Sequence, residues 1–213
     1  MGRIVATGTA VPGYCFDRAQ MERWTSLLFA EAPDLRVRLR IIGRSGVAER
    51  HLVLPPERVI IPRSFEAKNN EYLAAAVPLA EQAARRALDH AGICAADVDA
   101  IFTTSCTGIL IPSLATYLAP RLGLRADVVR VPMTELGCAA GAAALARAND
   151  YVLAHPGACA LVVAVELTSL TFERRDDSLT QFVAAALFGD GAAAAVVSDG
   201  PTSGFIPGDR CES

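Results

Sequence analysis

Short apolar runs alternate with longer segments of helical spacing along most of this chain, and that alternation constrains its fold more than any other feature. The runs at 100–105, 128–132 and 160–165 have the length and continuous apolar character of strands buried on both faces. Because neighbouring parallel strands need a crossover connection, the segments between these runs are expected to be helices. The pattern predicts an α/β fold whose mostly parallel sheet has helices on both faces.

Start and stop signals predict the remaining elements. Asp17-Arg18-Ala19-Gln20 has the form of a capping box and opens a helix that runs toward Phe29. Further strands are predicted at 4–7, 50–54 and 192–198, and further helices at 34–42, 64–91, 113–122, 139–155 and 178–187. Pro78 is expected to kink or split the long helix, and Gly189-Asp190-Gly191 is expected to form a tight turn.

The composition excludes several classes of protein. The chain has 213 residues, of which 52% are hydrophobic and 20% charged, so it can bury a sizeable core and is not expected to be disordered. Its formal net charge is −3, so the chain lacks the excess of positive charge that a nucleic-acid-binding protein uses to bind phosphates. No apolar stretch reaches the roughly 18 residues of a membrane span, and the N-terminal apolar run is too short for a signal peptide. We therefore expect a cytoplasmic protein with no nucleic-acid or membrane partner.

The cysteines do not indicate a metal site. The chain has six, at positions 15, 94, 106, 138, 159 and 211, with no CxxC pair and no histidine at zinc-ligand spacing. Four of them lie in or beside apolar segments, where a thiol behaves as a small hydrophobic group. We therefore predict no metal and no disulfide, and treat most of these residues as core thiols.

Cys138 is the exception, because it lies between a predicted strand and a helix of small residues. A helix N-terminus favours a thiolate, and the preceding turn would carry the sulfur to the carboxyl edge of the sheet, where α/β folds bind ligands. Gly137 and Gly141 would let backbone N–H groups approach an acyl oxygen. From the residues alone, Cys138 is either a nucleophile or an apolar cysteine at the start of a helix.

Other signals for chemistry are weaker. The chain has no P-loop, and Gly189-Asp190-Gly191 lies before a predicted strand, whereas a dinucleotide-binding loop follows one. His51, His90 and His155 have no motif around them and are typical of surface or helix-end residues. A cysteine nucleophile usually acts with a histidine partner, and none of these three is an evident one.

Four ordered blocks nevertheless resemble type III polyketide synthases, the chalcone and stilbene synthase family. They are TTSCTG at 103–108, TELGCAAG at 134–141, ELTSLTF at 166–172 and ALFGDGA at 186–192. The resemblance covers residues 1–200, as an N-terminal thiolase-like domain, whereas residues 201–213 form an unmatched tail. It implies the N-terminal half of a thiolase-like fold and an enzyme that loads an acyl group from a coenzyme A thioester onto a cysteine. The enzyme then extends that group with malonyl-CoA by decarboxylative Claisen condensation.

The resemblance also implies roles for individual residues. Cys138 matches the acyl-carrying nucleophile, and Phe188 matches the phenylalanine at the mouth of the substrate cavity. The other implied substrate-binding residues are Cys106, Thr107, Ile111, Thr168, Thr171 and Ala184, with Ile111 in the segment that reaches into the partner's cavity of a homodimer. Arg44 and Arg50 match basic residues near the coenzyme A phosphates. No cofactor is implied, since acyl-CoA and malonyl-CoA are substrates.

One departure from the family qualifies these expectations. Family members are about twice this length, and their second half supplies a catalytic histidine and asparagine that have no counterpart in the 213 residues here. We therefore expect this half-length chain to be inactive in condensation. The alternatives are another thiolase-fold condensing enzyme, such as a ketoacyl synthase III or a hydroxymethylglutaryl-CoA synthase, and a non-catalytic truncated remnant.

Overall fold

Strands and helices alternate through the 199 residues, 2–200, that a computed structural model of the protein describes. The strands are β1 (Arg3–Ala10), β2 (Tyr14–Asp17), β3 (Glu49–Leu52), β4 (Ala100–Thr104), β5 (Val129–Met133), β6 (Cys159–Leu167) and β7 (Asp190–Ser198). The helices are α1 (Arg18–Leu28), α2 (Leu35–Arg44), α3 (Pro56–Val59), α4 (Phe65–Ala91), α5 (Leu114–Leu122), α6 (Ala140–Ala154) and α7 (Leu179–Leu187). The predicted tail, 201–213, lies outside the described residues.

The described chain divides into two compact units. The first, called the sheet unit here, contains residues 2–10, 73–166 and 192–200. The second, called the ribbon unit, contains residues 11–72 and 167–191.

A five-stranded sheet in the order β1-β7-β6-β4-β5 forms the centre of the sheet unit. β4 runs parallel to both β5 and β6, whereas β1 pairs antiparallel with β7, so the sheet is mixed. Phe102 and Val162 pack with α6 residues on one face, and Ile101 and Leu161, which alternate with them, are also fully buried. Since both faces are covered, the predicted α/β architecture with helices on each side is confirmed.

Small residues let helices pack closely on this sheet. Ala144, Ala148 and Val152 of α6 lie against Phe102 of β4 in one buried cluster. Gly8 of β1 lies so close to α4 that a β-carbon on it would be 2.3 Å from the carbonyl oxygen of Ala83. The alanine-rich composition therefore reflects close helix-to-sheet packing.

The long helix α4 runs unbroken through Pro78, so of the two predicted effects of this proline, a kink or a split, the split does not occur. The apolar residues Val77, Ala80, Ala84 and Leu88, which have helical spacing, are all buried. This buried stripe on both sides of the proline offsets the loss of one backbone hydrogen bond.

In the ribbon unit, helices α1, α2 and α7 contribute to a core with the two-stranded antiparallel ribbon β2–β3. The capping box of α1 is confirmed, because the Asp17 carboxylate accepts the Gln20 N–H and the Gln20 side chain accepts the Asp17 N–H. Strand β2 and helix α3 were not predicted. The predicted turn at 189–191 is wrong in part, since β7 begins at Asp190.

Two further sequence-based expectations have clear outcomes. No helix among residues 2–200 is both long and apolar enough to cross a membrane. Cys94 is disulfide-bonded, which contradicts the expectation that all the cysteines are thiols, whereas Cys15, Cys106, Cys138 and Cys159 are free.

Candidate active site

Cys138 lies at a sharp bend between strand β5 and helix α6. Glu135 and Gly137 both have positive φ angles, of 67° and 53°, and a short 3-10 turn over Gly137–Ala139 leads into α6. Glycine adopts this conformation readily, but at Glu135 it typically costs about 1–3 kcal/mol. The thiol is exposed, and the N-cap residue of α6, Ala139, makes no side-chain hydrogen bond to the first N–H groups of that helix.

The loop after β4 places Cys106 and Thr107 at the same edge of the sheet. Strand β4 pairs in parallel with both β5 and β6, so the carboxyl ends of all three strands point in one direction. Glu166, near the end of β6, accepts a hydrogen bond from the Cys106 N–H at 3.0 Å and another from the Thr107 hydroxyl at 2.7 Å. The structure therefore ties the two predicted residues to a third, acidic one.

Electrostatics distinguish Cys106 within this group. Burial raises the pKa of the Cys106 thiol, and the charge of Glu166 and the proximity of Cys138 raise it further. Cys106 is thus held in its protonated form by its neighbours, whereas Cys138 is exposed at the start of a helix. The arrangement can present one sulfur for acyl transfer beside a second, less nucleophilic one.

Ile111 lies farther along the loop that follows β4. Its side chain is 91% exposed, and Ile109 on the same loop is 59% exposed. Exposed large aliphatic groups of this kind are typical of an interaction surface. Nothing in the sheet unit covers Ile111.

The other predicted substrate-binding residues belong to the ribbon unit. Thr168 and Thr171 lie in the 3-10 turn Thr168–Thr171, where the Thr168 hydroxyl donates to the Gly189 carbonyl at 3.0 Å. Ala184 lies in α7, and its carbonyl accepts the Phe188 N–H at 3.0 Å just beyond the end of that helix. The structure therefore brings Thr168 to the Phe188–Gly189 segment, whose Phe188 ring is 46% exposed.

Of the two predicted coenzyme A arginines, Arg50 also contacts this segment. Its guanidinium donates to the Phe188 carbonyl oxygen at 3.1 Å and lies 5.7 Å from the centre of the Phe16 ring. Burial lowers the pKa of Arg50 to about 10, so the group still carries its charge at neutral pH. Arg44 is exposed at the end of α2.

Asp190, which has no predicted role, holds the chain on the other side of Phe188–Gly189. The buried carboxylate accepts hydrogen bonds from the Ser169 N–H, the Ser169 hydroxyl and the Val53 N–H. One sequence signal could have found Asp190 and Glu166, because both are acidic residues beside or within an apolar strand. A carboxylate that is buried at such a position needs hydrogen-bond donors around it.

Each of the three histidines contacts a backbone carbonyl oxygen. A ring nitrogen lies 2.9 Å from the carbonyl oxygen of Pro12 for His51, of Thr7 for His90 and of Tyr151 for His155. His155 also stacks on the Tyr151 ring.

Comparison with known proteins shows the family. Residues 1–201 match the family model described as "Chalcone and stilbene synthases, N-terminal domain". The chain is 45% identical over 198 residues to 1,3,6,8-tetrahydroxynaphthalene synthase of Streptomyces peucetius, covering 92% of this chain and 52% of that relative. It is 36% identical to phloroglucinol synthase of Pseudomonas fluorescens, in a match that covers 91% of this chain and 56% of that relative.

Solved structures agree with these matches. Tetrahydroxynaphthalene synthase of Streptomyces coelicolor superposes with a TM-score of 0.88 at 36% identity, over 91% of this chain and 56% of that one. Germicidin synthase of the same organism gives a TM-score of 0.86 at 28% identity, over 94% and 60%. The chain thus spans about half the length of the curated relatives that it matches. It belongs to the chalcone and stilbene synthase family, the type III polyketide synthases, and matches the thiolase-like N-terminal domain of that family.

Proposed function

We propose that Cys138 accepts an acyl group from a coenzyme A thioester in polyketide synthesis by condensation. Its thiolate sulfur would attack the thioester carbonyl, so that a new thioester forms on Cys138 and coenzyme A leaves with its own sulfur. The observation that carries this proposal is the exposed Cys138 on its left-handed turn before α6, whose N-cap residue Ala139 provides no side-chain cap for the first N–H groups. Such N–H groups can stabilise the oxyanion that develops during acyl transfer.

We further propose that malonyl-CoA extends the bound acyl group by decarboxylative condensation, in the form the family resemblance implies. Substrate-binding roles fall on Cys106, Thr107 and Ile111 in the sheet unit and on Thr168, Thr171, Ala184 and Phe188 in the ribbon unit. The hydrogen bonds of Glu166 and Thr168 support this proposal, because they hold the loops that carry several of these side chains. The full-length form would act as a homodimer.

A role in coenzyme A binding is proposed for Arg44 and Arg50. Arg44 is exposed and free to meet a phosphate. Arg50 keeps its charge at neutral pH and touches the Phe188 carbonyl, so it would link phosphate binding to the position of the Phe188 segment. An arginine guanidinium suits this role because it can bind phosphate through several N–H groups.

The loading step can be tested directly on the purified chain. Incubation with a fatty or aromatic acyl-CoA, followed by mass spectrometry of peptides, should find one acyl adduct on Cys138. Cys138→Ala should abolish the adduct, whereas Cys106→Ala, which removes the neighbouring thiol, should retain it. An adduct that persists in Cys138→Ala would contradict the assignment, and no adduct in the folded protein would favour a non-catalytic remnant.

We expect these 213 residues to load an acyl group but not to condense it. Removal of a single oxyanion donor typically lowers a rate by about 100-fold to 1000-fold, and the histidine and asparagine that the resemblance implies have no counterpart here. Release of carbon dioxide from malonyl-CoA should therefore stay at the background rate. Sustained release that Cys138→Ala abolishes would show that the chain supplies its own donors.

A further inference from the structure

The β2–β3 ribbon presents three metal-ligating side chains on its exposed face. Cys15 pairs directly with His51 across the two strands, and Glu49 lies two residues before His51. Since side chains alternate along a strand, these three lie on the face opposite Phe16 and Leu52, which are buried in the core of the ribbon unit. Strand pairing thus joins residues that lie 34 and 36 positions apart in the sequence.

The ligand atoms are close enough to share one ion. The Cys15 sulfur, a Glu49 carboxylate oxygen and a His51 ring nitrogen all lie within 4.8 Å of one another. The Cys15 Sγ is 3.6 Å from Glu49 Oε2. Zinc bonds of about 2.3 Å to sulfur and about 2.1 Å to oxygen at a tetrahedral angle put these two ligand atoms about 3.6 Å apart. The distance between Cys15 Sγ and Glu49 Oε2 therefore already equals the distance between two ligand atoms of a tetrahedral zinc site.

A hydrogen bond to a backbone carbonyl orients the histidine. His51 Nδ1 lies 2.9 Å from the Pro12 carbonyl oxygen, so the hydrogen on Nδ1 is donated there. The lone pair of Nε2 is then available to a metal. Metal-binding histidines almost always donate their other N–H in this way, to a carbonyl or a carboxylate.

The carboxylate of Asp17, the other acidic residue of the ribbon, is already occupied. Asp17 pairs with Glu49 across the ribbon, but its carboxylate caps α1 through the Gln20 N–H at 2.8 Å. The ribbon therefore offers three protein ligands, one sulfur, one nitrogen and one oxygen. This mixed set suits Zn²⁺ better than Mg²⁺ or Ca²⁺, which prefer oxygen ligands.

We propose that Cys15, Glu49 and His51 bind one divalent ion of the zinc class, with a water molecule as the fourth ligand. Binding replaces the thiol hydrogen bond from Cys15 to Glu49 with two bonds to the metal and releases the thiol proton to solvent. The site uses none of the residues assigned to acyl transfer. A bound ion would connect strand β2 to strand β3, and because it binds only the folded state it should stabilise the folded protein.

Cobalt provides a spectroscopic test of this site. The reduced full chain, titrated with Co²⁺ at pH 7.5, should bind one equivalent with a thiolate-to-cobalt charge-transfer band and the intense visible bands of a four-coordinate ion. Cys15→Ser should abolish the charge-transfer band, and Glu49→Gln and His51→Gln should each weaken binding by more than about 10-fold. Cys15→His keeps a ligand, so it should retain the visible bands without the charge-transfer band.

Two matched controls separate this site from other exposed groups. Cys106→Ser removes another exposed thiol, and His155→Gln removes an exposed histidine. Both variants should bind Co²⁺ as the unaltered chain does, and Zn²⁺ should raise their melting temperature as it raises that of the unaltered chain. A charge-transfer band that survives Cys15→Ser, or one that Cys106→Ser abolishes, would overturn the proposal. So would a melting temperature that Zn²⁺ raises equally in the Cys15→Ser variant.

Discussion

The environments of the individual cysteines differ enough to give each a different chemistry. Cys138 and Cys106 are both exposed, Cys138 at a helix start and Cys106 beside the Glu166 carboxylate. Cys159 is buried within β6, where burial raises its thiol pKa to about 12. Because the thiolate is the reactive form, these surroundings predict an order of reactivity.

Alkylation with iodoacetamide should follow that order, with Cys138 fastest, Cys106 slower and Cys159 unreactive in the folded protein. Glu166→Gln removes the carboxylate charge that raises the Cys106 pKa but keeps an oxygen for the Cys106 N–H. The Cys106 rate should therefore increase severalfold at neutral pH and its pH profile should move to lower pH. Peptide mapping by mass spectrometry measures each rate, and an unchanged Cys106 rate in Glu166→Gln would contradict the expectation.

Asp190 should stabilise the fold through the donors that it satisfies. Asp190→Ala leaves the Ser169 and Val53 N–H groups without an acceptor, which is expected to cost about 2–4 kcal/mol of unfolding free energy. Denaturant unfolding measures this loss. Ser169→Ala, which removes one hydroxyl and leaves both backbone donors paired, should cost less.

The same carboxyl also predicts a pH dependence. Burial outweighs the hydrogen bonds and raises the Asp190 pKa above its ordinary value, so the folded state binds this proton more tightly than the unfolded chain does. The protonated group's contribution to stability is complete below the unfolded pKa and declines as pH rises through the folded pKa. The stability difference between the unaltered chain and Asp190→Ala should thus be larger at mildly acid pH than at pH 7. If the stability difference instead grows toward pH 7, the Asp190 pKa is lowered in the folded protein and the expected pH dependence is wrong.

At the scale of elements, local sequence signals located most helices and strands within a few residues. The capping box of α1 and the buried stripe of α4 are properties of neighbouring residues, so their patterns are visible in the sequence. Strand β2 was missed because only four of its residues pair, and their partners in β3 lie between 32 and 38 positions farther along the chain. Asp190 was placed in a turn because its three donors come from residues far along the chain.

The contact between β1 and α4 depends on Gly8. Gly8→Ala would place a methyl group 2.3 Å from the Ala83 carbonyl oxygen and 2.5 Å from the Ala87 nitrogen, so the helix or the strand must move. We expect a loss of about 1–3 kcal/mol or more in unfolding free energy. Gly43→Ala is the matched control, since nothing lies within 4 Å of its new methyl group, and helix α2 should become slightly more stable. Equal stability of the two variants would contradict the close approach.

At the scale of the whole molecule, the family and the fold could be predicted because four motifs keep the order and spacing of type III polyketide synthases. Cys138 could be singled out for the same reason. Glu166 and the Cys15–Glu49–His51 group could not, since strand pairing brings these residues together from distant positions. Spacing along the chain carries information on metal sites only where the ligands lie within one local motif.

Exposed aliphatic residues predict that the chain associates with itself. Ile111→Asp introduces a charge at a side chain that is 91% exposed, so it should lower the association constant by at least about 10-fold without loss of folded stability. Sedimentation velocity over a range of concentrations measures the change. Leu27→Asp alters another exposed aliphatic residue, on α1, and should leave association unchanged. Equal association in the two variants would contradict a role for the Ile111 loop.

The pairing of β1 with β7 sets the order in which the protein can fold during synthesis. Arg3 pairs with Ser198, and the register continues to Ala10 and Ala192, so β1, the earliest of the described strands, has its hydrogen-bonding partner in the last of them. At about 5–20 residues per second, a ribosome needs about 10–40 s to make the intervening segment. Through that interval β1 exposes unpaired N–H and carbonyl groups, which a nascent-chain chaperone would be expected to cover. Among the described strands, β1 is therefore the earliest to be made and the last to find its partner.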